Sequence, residues 1–509
     1  MNTLNSSLQK NLDEIKRRLP SEDILTYSFA MADNTACAIV YADGVVNKQL
    51  LGDLVARPLS RLSMPKNQKG GGTGRDESEN GNQSKSENTS PAQDFLQNAL
   101  LFPELKTAED FTKAEKEILD GNSLLLVDGV PQGFIVGAKL LPNRAVIEPP
   151  TDIAVKGPRE GFIEDIKTNM SLVRKRLKTP DLRFETVRVG KRSDTAVTLC
   201  YLHGIVDESV KNSVKKQLDG IQIDNVADSS YIAAMLSPRK HSLFRTVGTT
   251  EKPDVFAAKL CEGRVGLIVD GSPIALTVPY ILTEDLQSSE EYFISPFAAT
   301  SFRFLRCIAL FIAILLPGFY VAAQLYKIQL LPLGLTLTIA SSVREIPLSP
   351  SLEMFVVLLL LEILKEASIR MPKYVGMSLS VVGALVLGET AVSAGFLSTP
   401  AIIIVAFSGI CLYTVPNFVE TGSLLRWLFL LVAGSIGTLG IVLFAAFLLY
   451  YLISADAFGA PILAPFSPLI SHDLRDTVVK YDMFSLTQRP NLFHVKNKTR
   501  FRPPNADAE

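Results

Sequence analysis

Between Cys307 and Ala323 the chain carries no charged residue, and with its neighbours this run reaches the roughly 20 residues that a helix needs to cross a bilayer. Three further stretches read the same way: Tyr374 to Phe396, Pro400 to Phe418, and Trp427 to Ile453, the last two without any charge. The expected architecture is therefore a soluble part followed by a membrane-spanning helical domain over 301–455, with four spans near 305–325, 374–396, 400–418 and 427–453. Two segments, 328–343 and 352–371, either both cross or both dip in and return. A mean hydropathy of +0.22 with 47% hydrophobic residues in 509 fits a chain partly immersed in lipid.

Ahead of the apolar region the sequence says the same thing twice. AIVYADGVV (Ala38 to Val46) resembles VTLCYLHGIV (Val197 to Val206), and LLLVDGVP (Leu124 to Pro131) resembles GLIVDGSP (Gly266 to Pro273), in the same order. Short runs of Val, Ile and Leu are what buried strands require, and each Asp-Gly supplies the positive φ of a tight turn. Apolar residues at three- and four-residue spacing predict helices over Gly161 to Leu177 and Glu208 to Leu218. The fold class is thus an α/β domain of two similar subdomains, 1–63 with 94–190 and then 191–300, in front of an α-helical transmembrane bundle, with 456–509 as a C-terminal tail. Residues 64–93 have almost no apolar side chain and read as a disordered linker insertion, whose GGGTGR lacks the strand and Gly-Lys-Ser/Thr of a phosphate-binding loop.

Composition excludes several functions. With 51 Lys+Arg against 52 Asp+Glu, the net charge is −1 and no nucleic-acid surface is expected. Five separated cysteines show no metal spacing, and the polar N-terminus is no secretory signal. Four scattered histidines and the absence of HExxH, Walker or nucleophile-elbow motifs argue against an enzyme, a cofactor or a metal.

The residues that carry chemistry lie in the apolar half. On Leu352 to Met371 the charges Glu362, Lys365, Glu366 and Arg370 interrupt Phe, Val, Leu and Ile, which is costly near lipid. Glu366 and Arg370 can pair along one face. The stripe faces interfacial water, a partner helix, a pore or another subunit, and Glu389 after Gly388 is a second intramembrane carboxylate of an ion pathway or a hydrogen-bonded acid. Ser380, Ala384 and Gly388, and Gly434, Gly437 and Gly440, offer small-residue grooves for close helix packing. Arg303 and Arg306 outweigh Lys327, placing the N-terminal domain in the cytoplasm, and an even number of crossings brings the basic tail to the same side.

Collinear motifs also resemble one known family. GPREGF (Gly157, Pro158, Arg159, Glu160, Gly161, Phe162), VGKRSDT (Val189 to Thr195), TEKPD (Thr250 to Asp254) and EGRVGLIVDGSP (Glu262 to Pro273) look like the soluble domain of bacterial spore germinant-receptor A subunits. RFLRCIALFIAILLPGFYVA (Arg303 to Ala322), SLEMFVVLLLLEILKEASIRMP (Ser351 to Pro372), VGALVLGETAVSAG (Val382 to Gly395) and FGAPILAP (Phe458 to Pro465) continue the resemblance. At Arg344-Glu345-Ile346-Pro347 and at Glu389 this sequence departs from the family pattern, which tends to have a glycine after the acidic residue and more often a glutamine, respectively. The resemblance implies a nutrient receptor subunit in the spore inner membrane that triggers germination. It would assemble with a transporter-like B subunit, the main site of nutrient binding, and a lipoprotein C subunit. It would form or gate a homo-oligomeric ion channel; the alternative is a non-conducting scaffold or ligand-binding subunit of the same complex.

Overall fold

A computed structural model describes residues 3–64, 105–140, 156–237, 242–330, 332–344, 346–372 and 388–501. The insertion expected over 64–93 lies, after Met64, outside the described residues, as do Ser380, Ala384 and most of the span expected over 374–396. The chain forms two compact units: an α/β unit of Met1–Ser237, Val247–Val278 and Phe493–Asn497, and a helical unit built mainly of Pro279–Leu492.

The α/β unit is a duplication. Its first half runs α1 (Leu8–Arg18), β1 (Ile24–Ala30), β2 (Ala36–Ala42), β3 (Leu105–Ala108), α2 (Phe111–Leu119), β4 (Ser123–Val127) and β5 (Gly133–Val136). The second half runs α3 (Ile166–Arg176), β6 (Leu182–Val189), β7 (Thr195–Leu202), α4 (Glu208–Asp219), α5 (Ser229–Leu236), β8 (Gly248–Thr250), α6 (Pro253–Cys261), β9 (Val265–Val269) and β10 (Ala275–Val278). The sheets have the orders β1-β2-β4-β5-β3 and β6-β7-β9-β10-β8, with every neighbouring pair antiparallel. In the first sheet, alternate side chains reach opposite faces: Cys37, Ile39, Leu125 and Val127 enter one core, Ala38, Val40, Leu124 and Leu126 the other. A strand covered on both faces must be apolar at every position, hence the continuous runs in the sequence.

Loop chemistry repeats with the topology. Asp128 accepts the first amide of α1 at Leu8 (2.9 Å), and Asp270 the first amide of α3 at Ile166 (3.4 Å). Asn11 folds back onto the backbone of Asn5, and Asn169 onto that of Ile163. The turn glycines match too: Gly44 and Gly204 (both φ +80), Gly121 (+90) and Gly263 (+96), Gly129 (+87) and Gly271 (+82) occupy the left-handed region that side chains avoid. The second half therefore begins ahead of α3. A division at residue 190 would cut the β6–β7 hairpin, whose eight residue pairs run from Leu182↔Leu202 to Val189↔Thr195. Local similarity shows the apolar strands but not the polar helix that precedes them.

Between the halves, Arg174 and Asp23, each 2% exposed, form a bidentate pair: Nε to Oδ2 at 2.9 Å and Nη2 to Oδ1 at 2.8 Å. Arg174 also donates to the carbonyls of Thr179 and Leu182 and lies 5.0 Å over the Phe184 ring. Nearby, Asp43 faces Lys48 at 2.6 Å and Lys167 at 3.5 Å. Burial alone would raise the Asp43 carboxyl, but the hydrogen bond and charge of Lys48, then Lys167 and the Gly44 amide, outweigh it and hold it below the usual range. A depressed carboxylate stabilises the fold above its unfolded pKa of about 4 and loses that contribution as pH falls through its folded value. The urea midpoint of the α/β unit, followed by hydrogen exchange of the sheet amides, is expected to fall between about pH 5 and pH 3. Asp43→Asn is expected to shrink that slope; a slope unchanged by the variant would remove Asp43 from the account.

The helical unit holds α7 (Pro296–Tyr326), α8 (Leu333–Val343), α9 (Pro350–Arg370), α10 (Thr399–Leu412), α11 (Val419–Ile436) and α12 (Thr438–Ile453). Among the described residues, Pro296–Tyr326 and Pro416–Ile436 are long and apolar enough to cross a membrane; α8, α10 and α12 are shorter apolar helices. The helix expected over 427–453 is broken at Gly437, whose φ of +76 and ψ of −151 end α11 and start α12. A left-handed residue cannot continue a right-handed helix. In α7, Pro317 does not interrupt the helix, and Gly318 meets the Phe429 carbonyl so closely that a Cβ would stand 3.1 Å from its oxygen.

Candidate functional site

The helix that carries the charged stripe, α9, starts with Ser349 capping the Leu352 amide (3.4 Å) and runs to Arg370. The structure divides the stripe in two. Glu362 turns toward α11: its Oε1 accepts from Arg426 Nη2 and Ser423 Oγ, both at 2.8 Å, and its Oε2 pairs with Lys365 one turn along. Arg426 is 1% exposed, and its Nη1 lies 3.2 Å from Ser408 Oγ on α10, which donates to the Ala313 carbonyl of α7 at 2.7 Å. A polar chain thus links four helices through an apolar interior, where each charge needs its partner.

Glu366 and Arg370 remain exposed and pair along α9, with Nε to Oε1 at 2.7 Å. Together with Glu362, Ile363 and Ala367 they line an open groove of about 490 Å³. Glu389 is exposed and stands apart from this cluster's bonds. Arg426 was missed in the sequence because it lies just outside an uncharged span, 64 residues from Glu362, and no local pattern links the two.

The small residues are placed individually. A Cβ on Gly434 would stand 2.7 Å from Ser351 Oγ of α9, so α11 and α9 touch closely there. Gly437 is the helix break, with the Tyr326 ring 2.7 Å from a would-be Cβ. Gly440 abuts Val432 and Ile436 of the preceding helix, and Gly388 has open space where a Cβ would stand.

A second polar cluster lies at the start of α7. Arg303, 1% exposed, donates Nε to Glu291 Oε2 (2.5 Å) and Nη2 to Asp476 Oδ1 (3.2 Å), while Arg306 pairs with Glu291 Oε1. Lys480 donates to the Glu291 carbonyl, and its backbone amide to Thr300 Oγ1 at 3.0 Å. Residues 476–480 are thereby bound to the first turns of α7. The GPREGF segment leads into the second α/β half: Glu160 accepts from Lys175 (2.7 Å) and Arg176 (3.0 Å), and Phe162 packs edge-on to Phe256 at 5.6 Å. Gly157 has φ +113 there, and Phe162 donates its amide to the Glu251 carbonyl, as Leu4 does to Glu109 in the first half.

Comparison with known proteins bears on what this arrangement serves. The family described as "GerA: Bacillus/Clostridium GerA spore germination protein" matches residues 8–492. The chain belongs to this family. It is 32% identical to "Spore germination protein KA" of Bacillus subtilis (strain 168) over 98% of this chain and 88% of that protein. It is 31% identical to "Uncharacterized membrane protein YfkQ" of the same organism, over 97% and 93%. "Spore germination protein GerLA" of Bacillus cereus is 30% identical over 97% of each chain. The crystal structure of the N-terminal domain of the A subunit of the Bacillus megaterium spore germinant receptor GerK3 is 30% identical, covering 55% of this chain and 97% of that one, with a TM-score of 0.40.

Proposed function

We propose that this chain is the membrane A subunit of a nutrient germinant receptor that triggers spore germination by forming or gating an oligomeric ion channel. The observation that carries the channel reading is the exposed Glu366–Arg370 groove on α9, whose remaining residues are largely apolar. A charged groove on an apolar helix is costly in lipid and favourable beside water or ions. Large apolar residues such as Phe304, Phe311, Val442 and Phe447 are more than half exposed, in keeping with a lipid or subunit surface.

The receptor would sit in the spore inner membrane with the α/β unit in the cytoplasm, beside a transporter-like B subunit and a lipoprotein C subunit. An even number of crossings is supported by the course of the tail. Phe493–Asn497 belongs to the α/β unit, which favours a tail on the same side as the N-terminal domain.

Cation flux from proteoliposomes holding this chain alone tests the reading. A potassium leak altered by Glu366→Gln is the expected result; this residue is exposed, and its loss leaves the Glu362–Arg426 pair intact. No leak from either preparation, and none when the partner subunits are added, would make the chain a non-conducting scaffold.

A further inference from the structure

The two α/β halves differ in one respect that exposes the role of the C-terminal segment. In the first half the chain leaving β5 turns back over the loop after β2: Leu140 donates to the Val45 carbonyl at 2.9 Å, Asn47 to that of Ala138, and Val46 forms an antiparallel bridge with Lys139. The same backbone position after β7 is Ile205, and the chain leaving β10 at Pro279 passes into the helical unit instead. The vacant place is filled from the far end of the sequence. Lys496 donates to the Ile205 carbonyl at 3.3 Å, as Leu140 does to Val45.

The side chains agree with that alignment. A Cβ on Gly121 would meet Lys139 Cγ at 3.7 Å, and a Cβ on the equivalent Gly263 would meet Val495 Cγ1 at 2.2 Å. Val495 therefore stands where Lys139 stands and Lys496 where Leu140 stands, and both correspondences give one register. Phe493, 3% exposed, lies under the Arg264 guanidinium at 4.4 Å, Val495 is 5% exposed, and Lys496 faces Glu208 at 4.0 Å.

We propose that Ile205, Glu208, Gly263 and Arg264 form a peptide-docking site, and that its occupant is this chain's own segment Phe493–Asn497, which supplies the second repeat with the covering segment that its own continuation after β10 does not provide. Each recognition element has a distinct origin. The arginine face takes an aromatic ring, the missing Cβ of Gly263 takes an aliphatic side chain, Glu208 takes a basic one, and the carbonyl of Ile205, in the turn after β7, takes an amide. Such contacts are non-covalent and the segment is short, so the site accepts the same segment when it is offered in trans.

The test compares the full chain in detergent with a chain ending at Leu492, each given a fluorescein-labelled peptide of residues 490–500. Fluorescence anisotropy is expected to show binding to the shortened chain and binding at least about tenfold weaker to the intact one, whose site is filled. The same peptide carrying Val495→Asp is expected not to bind. A folded shortened chain that ignores the peptide, or equal binding to both chains, overturns the proposal. Should the shortened chain not fold, the intact chain carrying Val495→Asp decides the matter: the Lys496 amide is expected to exchange hydrogen at least about tenfold faster, and an unchanged rate overturns it.

Discussion

Replacing Asp23 by alanine is expected to destabilise the α/β unit by about 3–5 kcal/mol, the cost of leaving a buried charge without its partner. Arg174 would keep the carbonyls of Thr179 and Leu182, the Ser21 hydroxyl at 3.3 Å and the Phe184 ring, but none of these carries a negative charge. Because Asp23 belongs to the first half and Arg174 to α3 of the second, the loss weakens the joint between them as well as each core. Hydrogen exchange should report it as parallel acceleration of the amides in β2 and β7. The double variant Asp23→Leu with Arg174→Met is expected to recover most of the loss, since a well-packed apolar pair often replaces a buried ion pair at little cost. A single variant within about 0.5 kcal/mol of the parent would mean that water reaches the pair.

A loss of similar size, about 3–5 kcal/mol, is expected in the helical unit for Glu362→Leu, which strands Arg426 among α7, α9, α10 and α11. The chain supplies its own probe. Its single tryptophan, Trp427, follows Arg426 and packs against Phe355 of α9 with ring centroids 4.6 Å apart. Thermal unfolding in detergent followed by Trp427 emission should show a lowered midpoint for Glu362→Leu, and adding Arg426→Met should restore most of it. Equal midpoints for the parent and Glu362→Leu would show that Arg426 finds another partner. Paired with the flux measurement on Glu366→Gln, this separates the inner part of the stripe, which holds helices together, from the outer part, which lines the groove.

These two pairs show where sequence reasoning stops. Asp23 and Arg174 are 151 residues apart, and Glu362 and Arg426 are 64 apart. Each charged residue seen alone looks like a solvated surface group or a functional charge, because charge carries no mark of the partner that neutralises it. Glu366 and Arg370 lie four apart on one helix, and there the pairing was legible. The break at Gly437 belongs to the first kind. An uninterrupted apolar run looks the same whether one helix or two pass through it, and only the contacts around Tyr326 and the backbone angles decide.

By itself the sequence determined what depends on near neighbours: the apolar strands with their Asp-Gly turns, the duplication they imply, the apolar helices after Phe302, and the family through its collinear motifs. Hydrophobic periodicity and the special backbone of glycine are local properties, so they survive in one dimension. Tertiary structure alone decided which charges are buried against each other, that the second repeat begins at the polar helix α3, and that residues 493–497 complete that repeat. Those outcomes rest on contacts between distant segments, formed because buried charges and buried backbone carbonyls must find partners wherever along the chain those partners lie.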